Sequence, residues 1–290
     1  MNLPFSKKSS ANAWVELDEK AFDKFVSKLP DYRRLEGCIG ERHARVARMA
    51  LWKKLGGFSG KYSYRKENEA DANKMLGMLL QHELNCVLQA HYYIGSLAVR
   101  ARMGEFSNTL AGETMAPADY GAKVGDSNLE KATRYLIFTS NSLKNTADQN
   151  GAPVTAQGIK SAIENASMYD TRSELTLRDL HRRCVDQAGL KPSRGTDLQV
   201  AYPSTGGAGF LLESTFNMAK GLALPPNEDA RWFDLACFLL GAVIRSHGFT
   251  DGNGRVGRAA FAATLVKGGL PFAPLKVSAE KLLHGLDKVS

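Results

Sequence analysis

Residues 247–258 combine side-chain types that phosphoryl chemistry uses. The stretch reads HGFTDGNGRVGR. His247 carries an imidazole, which titrates near neutral pH and can therefore accept a proton from a hydroxyl group. Asp251 carries a carboxylate, the type of hard oxygen ligand that a divalent cation prefers. A proton acceptor and a metal ligand four residues apart predict an acid–base and metal-assisted site.

The second half of the same stretch predicts an anion-binding site. Gly252, Asn253 and Gly254 form a flexible run that leads into a helical pattern. Backbone N–H groups in such a run can converge on a phosphate at the start of a helix. Arg255 and Arg258 lie three positions apart on the predicted first turn, and guanidinium groups suit phosphate oxygens. The whole pattern indicates phosphoryl or nucleotidyl transfer from a metal-bound nucleotide.

Two better-known loops do not fit this stretch. A Walker A loop needs Lys followed by Ser or Thr after its last glycine, but Arg255 and Val256 stand there. An EF-hand loop that begins at Asp251 needs a carboxylate at its twelfth position, which is Ala262. The stretch is therefore neither a P-loop nor a calcium-binding hand.

Helices must hold these residues in place. The segment before His247 has an apolar face with helical spacing, and His247 extends that face at its carboxyl end. The members of this face are Phe233, Ala236, Cys237, Leu240, Val243, Ile244 and His247. A second apolar face on the same segment predicts a central helix. Another helix is predicted from Arg255 to the KGGLP stop at 267–271.

The rest of the chain predicts an all-α fold. Apolar periodicity and helix-stop signals predict further helices at 16–29, 41–57, 67–102, 129–144, 155–166, 173–189, 210–222 and 278–286. A long connection rich in Gly, Pro and Ser runs through 189–209. We divide the chain into an N-terminal helical region, 1–150, whose role has no sequence signature, and a catalytic core, 151–290.

Composition limits the class of protein. Of the 290 residues 43% are hydrophobic and 23% are charged, as in an ordinary globular protein, and the net charge of +8 suits an anionic partner. The longest apolar run, 235–244, is too short to span a membrane, and the first residues have no apolar run of signal-peptide length. We therefore expect a cytoplasmic protein, or one that a specialised secretion system delivers to a host cytosol. Four scattered cysteines without a C-x-x-C pair predict buried free thiols.

The stretch 247–258 resembles the signature of Fic-domain proteins, H-x-F-x-[D/E]-G-N-G-R-x-x-R. Every fixed position of the signature is matched here. Gly248 departs from many family members, which have proline at that variable position. The segments LRDLHRRC at 177–184 and GGLPF at 268–272 also resemble parts of the family core. The resemblance covers about 173–273.

This resemblance implies a Fic-type helical core with a short β-hairpin flap, which we expect within 196–209. Most characterised members transfer AMP from ATP to a Ser, Thr or Tyr hydroxyl of a target protein. By resemblance, His247 would be the general base and Asp251 would hold Mg²⁺ on the phosphates. The anion hole would comprise residues 252–254, namely Gly252, Asn253 and Gly254. Arg258 would engage the outer phosphates, and Arg255 would support the same site.

Many members also carry an inhibitory helix with the pattern [S/T]-x-x-x-E-[G/N], whose glutamate pairs with the second arginine of the motif. SYRKEN at 63–68 fits this pattern through Glu67, and KSAIEN at 160–165 fits it except at Lys160, through Glu164. Ordinary surface glutamates would give the same short pattern. If the chain is self-inhibited, we expect Glu67 or Glu164 to pair with Arg258, with Glu164 favoured.

Other functions stay open at this point. A Fic-like enzyme can transfer another group, such as UMP, phosphocholine or phosphate. A non-catalytic interaction module is less favoured because the motif is intact, and nucleic-acid binding is supported by the charge alone. The expected partners are a target protein and, in some settings, an inhibitory protein, with no membrane. The sequence does not separate a toxin, an effector and a housekeeping regulator.

Overall fold

The structure is a computed structural model that describes residues 13–56, 59–143, 156–184, 202–224, 228–249 and 252–285. It divides into two compact units. Unit 1 comprises Met1–Val87 and Pro203–Phe210, and unit 2 comprises Leu88–Tyr202 and Leu211–Ser290. The functional boundary that we place at residue 150 stays a prediction.

Unit 1 is helical with one small sheet. Its complete elements are β1 (Trp14–Leu17), α1 (Glu19–Val26), α2 (Pro30–Gly56) and β2 (Tyr62–Arg65). The two strands pair antiparallel, with Trp14 opposite Arg65 and Leu17 opposite Tyr62. The ring of Phe22 packs on Trp52 and Tyr62, at centroid distances of 5.1 and 5.6 Å. These aromatic contacts form the core of the unit.

Two long helices contribute to both units: α3 (Glu69–Arg102) and α8 (Thr205–Lys220). Within unit 1, Glu83 of α3 accepts hydrogen bonds from the backbone N–H and hydroxyl of Ser204, both at 2.7 Å, just before α8 begins. Gly206 and Gly207 allow the first turn of α8 to pack closely, because a Cβ at Gly206 would lie 2.3 Å from the His43 carbonyl oxygen.

Unit 2 contains the remaining helices of the described chain: α4 (Glu105–Thr109), α5 (Asn128–Leu143), α6 (Ala156–Met168), α7 (Glu174–Cys184), α9 (Asp229–Ser246), α10 (Asn253–Lys267) and α11 (Val277–His284). Except for the short α4, for which no helix is predicted, these helices follow the sequence prediction. The all-α prediction is confirmed.

Helix α9 is the centre of unit 2. Every residue from Asp234 to Ile244 is buried, because this helix is apolar on all sides. It packs against α10, where Gly257 permits close approach: a Cβ there would lie 3.0 Å from Ile244 Cγ1. It also packs against α11, where a Cβ at Gly241 would lie 2.5 Å from the Leu283 carbonyl oxygen. The motif stretch thus joins two helices of the core.

Only part of the interval 196–209, in which we expect the flap, belongs to the described chain. Residues 196–201 lie outside the described chain, 202–204 have no regular structure, and α8 begins at Thr205. The described part of the interval 196–209 therefore carries no strand, and the two-stranded sheet of β1 and β2 lies elsewhere in the sequence. The contact of Ser204 with Glu83 satisfies a part-buried N–H group immediately before the helix.

The described chain contains no candidate membrane-spanning helix. None of its helices is both long enough and apolar enough to cross a bilayer.

Candidate active site

Helix α9 ends at Ser246, and His247 takes a left-handed backbone conformation with φ of 48° and ψ of 40°. It is the one non-glycine residue with positive φ among the described residues. For a side chain with a Cβ atom this conformation costs about 1–2 kcal/mol, and glycine usually occupies this position at a helix end. The fold therefore carries strain at the proposed base, an arrangement often found at functional sites.

The imidazole ring of His247 stacks on the ring of Tyr202. The ring centroids are 3.7 Å apart, and the planes differ by 21°. Both residues are half-buried. The ring of His247 therefore lies at the edge of the core with one face covered by an aromatic side chain.

The turn after His247 is held by Asn253. Its amide oxygen accepts a hydrogen bond from the Phe249 N–H (2.9 Å), and its amide nitrogen donates to the Phe249 carbonyl (2.7 Å). Two buried hydrogen bonds of this type contribute about 1 kcal/mol each. Phe249 is itself buried and stacks on His181 of α7, with centroids 4.2 Å apart. The Asn253 side chain thus holds the backbone of Phe249 beside the start of α10.

Helix α10 begins immediately after this turn. Gly252 precedes it with φ of 77°, a conformation that favours glycine. Val256 donates a backbone hydrogen bond of 2.8 Å to the Gly252 carbonyl. Asn253, Gly254 and Arg255 form the first turn of the helix, where backbone N–H groups have no carbonyl one turn earlier within the helix. They can bind an anion together with the positive end of the helix dipole.

Arg255 anchors α7 to the start of α10. Its Nη1 donates a hydrogen bond of 3.0 Å to the Cys184 carbonyl, the last residue of α7. A cation at a helix carboxyl end is stabilising because the dipole is negative there. Burial raises the pKa of the neighbouring Cys184 thiol to about 12, so this cysteine is a neutral packing residue. The side chain of Arg255 thus has a structural contact beside the proposed anion site.

Arg258 pairs with Glu280 of α11. Its Nε and Nη2 donate to the two carboxylate oxygens at 3.0 and 2.5 Å, so the contact is bidentate. Tyr135 of α5 donates to the same carboxylate at 3.3 Å. Burial opposes the charge of Arg258, but the Glu280 carboxylate outweighs it, and the pKa of Arg258 is raised. Burial and the same carboxylate raise the pKa of Tyr135.

The expected pairing of Arg258 with Glu67 or Glu164 is therefore wrong. Glu67 pairs with Arg65, at 3.5 Å, within unit 1. Glu164 is exposed on α6. The carboxylate that pairs with Arg258 comes from α11 instead. Gly241 allows α11 to pack closely on α9, and this packing places Glu280 beside α10.

Gly248 has a packing reason to be glycine. A Cβ at this position would lie 2.9 Å from the Cβ of Leu212 in α8. A side chain at this position would meet Leu212, so glycine fits the packing of this chain.

The predicted metal ligand Asp251 lies outside the described residues. Within the described chain, no group of three or more His, Cys, Asp or Glu side chains could hold a metal ion. A cavity of about 150 Å³ between Arg102, Arg231 and Asp234 contains no residue of the motif. Its Arg231 donates to the Arg102 carbonyl at 2.6 Å, so these groups serve the packing of α3 on α9.

Sequence reasoning missed three contacts of the site. Tyr202 stacks on His247, His181 stacks on Phe249, and Glu280 pairs with Arg258. Each partner comes from a segment far from the motif. A weak signal existed for Glu280, because it is the one acidic residue of α11. Tyr202 and His181 had no periodicity or spacing that would single them out.

Comparison with known proteins agrees with this geometry. Residues 172–265 match the model of the Fic/DOC family. This range begins just before α7 and ends within α10, so it contains α7, α9 and most of α10.

A similar protein and a similar structure extend beyond the domain. Protein adenylyltransferase VopS of Vibrio parahaemolyticus serotype O3:K6 (strain RIMD 2210633) is 28% identical over 286 residues, which are 96% of this chain and 67% of the relative. The crystal structure of a Fic domain containing AMPylator, VopS, superposes with a TM-score of 0.70 at 23% identity. It covers 92% of this chain and 82% of that one. The similarity thus includes most of the N-terminal region, for which the sequence alone suggested no relative.

Proposed function

Because residues 172–265 form a Fic/DOC family domain, we propose that the chain is a protein adenylyltransferase. It transfers AMP from ATP to the hydroxyl of a Ser, Thr or Tyr side chain on a target protein. The observation that carries the proposal is the junction of α9 and α10. There, an imidazole at the end of one helix is joined by residues 248–251 to the start of the next, where we propose that the phosphates bind.

The reaction needs one proton acceptor and one anion site. The target hydroxyl oxygen forms a bond to the α-phosphorus of ATP, and the bond from that phosphorus to the oxygen bridging the β-phosphate breaks. Pyrophosphate leaves with the electron pair. A ring nitrogen of His247 takes the hydroxyl proton, which is the role of a general base. The N–H groups of residues 253–255 stabilise the phosphate charge.

Mg²⁺ fits the chemistry of the motif through Asp251, whose carboxylate is a ligand that this ion prefers. The ion neutralises phosphate charge when it is bound with the nucleotide. We propose that Asp251→Asn weakens the Mg²⁺ dependence of ATP binding, as measured by calorimetry with and without the metal. Equal Mg²⁺ dependence in the variant and the wild type would contradict this role.

The two arginines have different proposed roles. Arg255 supports the anion site from its anchored position beside the Cys184 carbonyl. Arg258 engages the outer phosphates of ATP, which requires its guanidinium to exchange Glu280 for phosphate oxygens. An inhibitory partner protein stays a prediction. We also propose that the chain acts in a cytosol, either that of the producing cell or that of a host reached by a specialised secretion system.

Labelled nucleotides test the proposal directly. The purified chain is incubated with cell lysate and with ATP labelled either at the α-phosphate or at the γ-phosphate. AMP transfer places the α-label on protein and releases the γ-label as pyrophosphate. The matched control is His247→Ala, which we expect to lower the rate by about 10²-fold or more while ATP still binds.

The alternative functions give different label patterns. Protein labelling from γ-labelled ATP would indicate phosphate transfer, and labelling only from α-labelled UTP would indicate UMP transfer. Labelling only from choline-labelled CDP-choline would indicate phosphocholine transfer. No labelling from any donor would favour a non-catalytic interaction module, and wild-type turnover in His247→Ala would exclude His247 as the base.

A further inference from the structure

The ring of Tyr202, which lies outside the motif, contacts the imidazole of His247. Its stack on the imidazole is close, at 3.7 Å between centroids, and nearly parallel. Tyr202 is half-buried, so it lies at the edge of the core. Its ring covers a face of the proposed base.

The backbone alone does not orient the imidazole. The left-handed conformation of His247 turns the chain out of α9 and sets the direction of its Cα–Cβ bond. The torsion that rotates an imidazole about its Cβ–Cγ bond is broad and has no sharp preference. A second contact is therefore needed to hold the ring plane, and a parallel ring stack supplies one.

Stacking leaves the edge of the imidazole usable. Tyr202 covers a face of the ring, whereas proton transfer takes place at the ring nitrogens, which lie at the edge. A fixed ring plane holds those nitrogens in one direction, and proton transfer depends on such alignment. The stack and the chemistry thus use different parts of the same ring.

We propose that Tyr202 is a positioning residue for His247: its ring holds the imidazole plane so that a ring nitrogen faces the target hydroxyl. This inference rests on the proposed function. The aromatic face carries the effect, so Tyr202→Phe keeps it and Tyr202→Leu loses it. The effect lies in kcat, because the N–H groups that bind the phosphates belong to the start of α10.

The first measurement does not depend on enzyme activity. A proton above the face of an aromatic ring resonates upfield of its usual position. In two-dimensional NMR of the free protein, with the His247 signals assigned by their absence in His247→Asn, we expect upfield-shifted imidazole protons in the wild type and in Tyr202→Phe. In Tyr202→Leu these protons move downfield. Unchanged positions in Tyr202→Leu overturn the proposal.

The second measurement is the steady-state transfer of AMP from α-labelled ATP. Tyr202→Leu is expected to lower kcat by about 10- to 10²-fold at an unchanged KM for ATP, the range of a misplaced catalytic group. Tyr202→Phe stays near the wild-type value, and this rescue separates ring positioning from general damage. Thermal melting of each variant confirms that it is folded.

The outcomes separate two kinds of failure. A loss of kcat in Tyr202→Phe equal to that in Tyr202→Leu overturns the proposal, since the ring would then not be the active feature. If the wild type transfers no AMP, the proposed function fails and the catalytic role of Tyr202 fails with it. The NMR comparison still shows in that case whether the ring stack itself exists.

Discussion

His247, the proposed base, has a left-handed backbone conformation that lowers stability. A left-handed position at the end of α9 is suited to glycine, but glycine has no imidazole. Histidine at this site therefore carries a penalty that the remainder of the turn must offset. The two hydrogen bonds of Asn253 and the stack of Phe249 on His181 contribute to that offset.

A matched pair of variants measures this strain. Both His247→Gly and His247→Ala remove the ring and its contact with Tyr202, and both should lose AMP transfer. Only glycine relieves the positive φ, so His247→Gly should be more stable than His247→Ala by about 1 kcal/mol. Urea denaturation followed by circular dichroism gives the difference. Equal stabilities would indicate that the turn relaxes to an ordinary conformation once the ring is gone.

Close helix contacts depend also on glycines outside the motif. Gly241→Ala should destabilise the protein by about 1–3 kcal/mol, because the new methyl group would lie 2.5 Å from the Leu283 carbonyl oxygen of α11. The matched control is Gly95→Ala in α3, where the nearest atom, Met218 Cε, lies 4.0 Å away. Alanine there should stabilise the helix by about 0.5–1 kcal/mol. Urea midpoints check both changes, and similar values would contradict the close packing of α9 and α11.

The pair of Arg258 and Glu280 links α11 to the proposed nucleotide site. One guanidinium cannot hold a carboxylate and a phosphate bidentately at the same time. Glu280→Gln should therefore lower the melting temperature, because a buried ion pair is broken, and should tighten ATP binding by up to about tenfold. Calorimetry of ATP binding and thermal melting provide the two readouts.

An exposed ion pair beside α11 serves as the control for this change. Glu113 pairs with Lys276 at 3.3 Å, and about half of each side chain is exposed. Glu113→Gln should change stability by less than about 1 kcal/mol and leave ATP binding unchanged. If Glu280→Gln lowers stability without any gain in ATP affinity, the pair is structural and does not compete with the nucleotide.

The reactivity of the four cysteines reports on how well the folded protein buries each thiol. Cys38 is exposed, whereas Cys86, Cys184 and Cys237 are buried. Burial raises the pKa of Cys184 to about 12 and that of Cys237 well above its ordinary value, so both remain protonated thiols. Alkylation depends on the thiolate and on access to it.

Iodoacetamide at mildly alkaline pH should therefore label Cys38 in the native protein and leave the other three cysteines unmodified until denaturant is added. Peptide mass spectrometry identifies the labelled positions. Rapid native labelling of Cys184 would show that the contact between α7 and Arg255 opens in solution. The sequence-based prediction of buried thiols thus holds for three of the four cysteines.

Local sequence predicted the helices on either side of the motif, and the chemistry of the motif stays a prediction. The apolar residues of α9 and the helix pattern of α10 are spaced by the geometry of the helix itself, so a short window contains the information. The same holds for Gly252 and Asn253, because a helix start is built by its immediate neighbours. Their types and spacing within twelve residues were sufficient to predict a base next to an anion site.

Only the tertiary structure decided which distant side chains complete the site. Tyr202, His181 and Glu280 reach His247, Phe249 and Arg258 through the packing of separate segments. The short inhibitory pattern pointed to Glu67 and Glu164 because a pattern records spacing and cannot record which helix faces which. Glu280 pairs with Arg258 instead, because Gly241 lets α11 approach α9 closely. Such a close approach depends on the shapes of two packed surfaces, and no single stretch of sequence contains both.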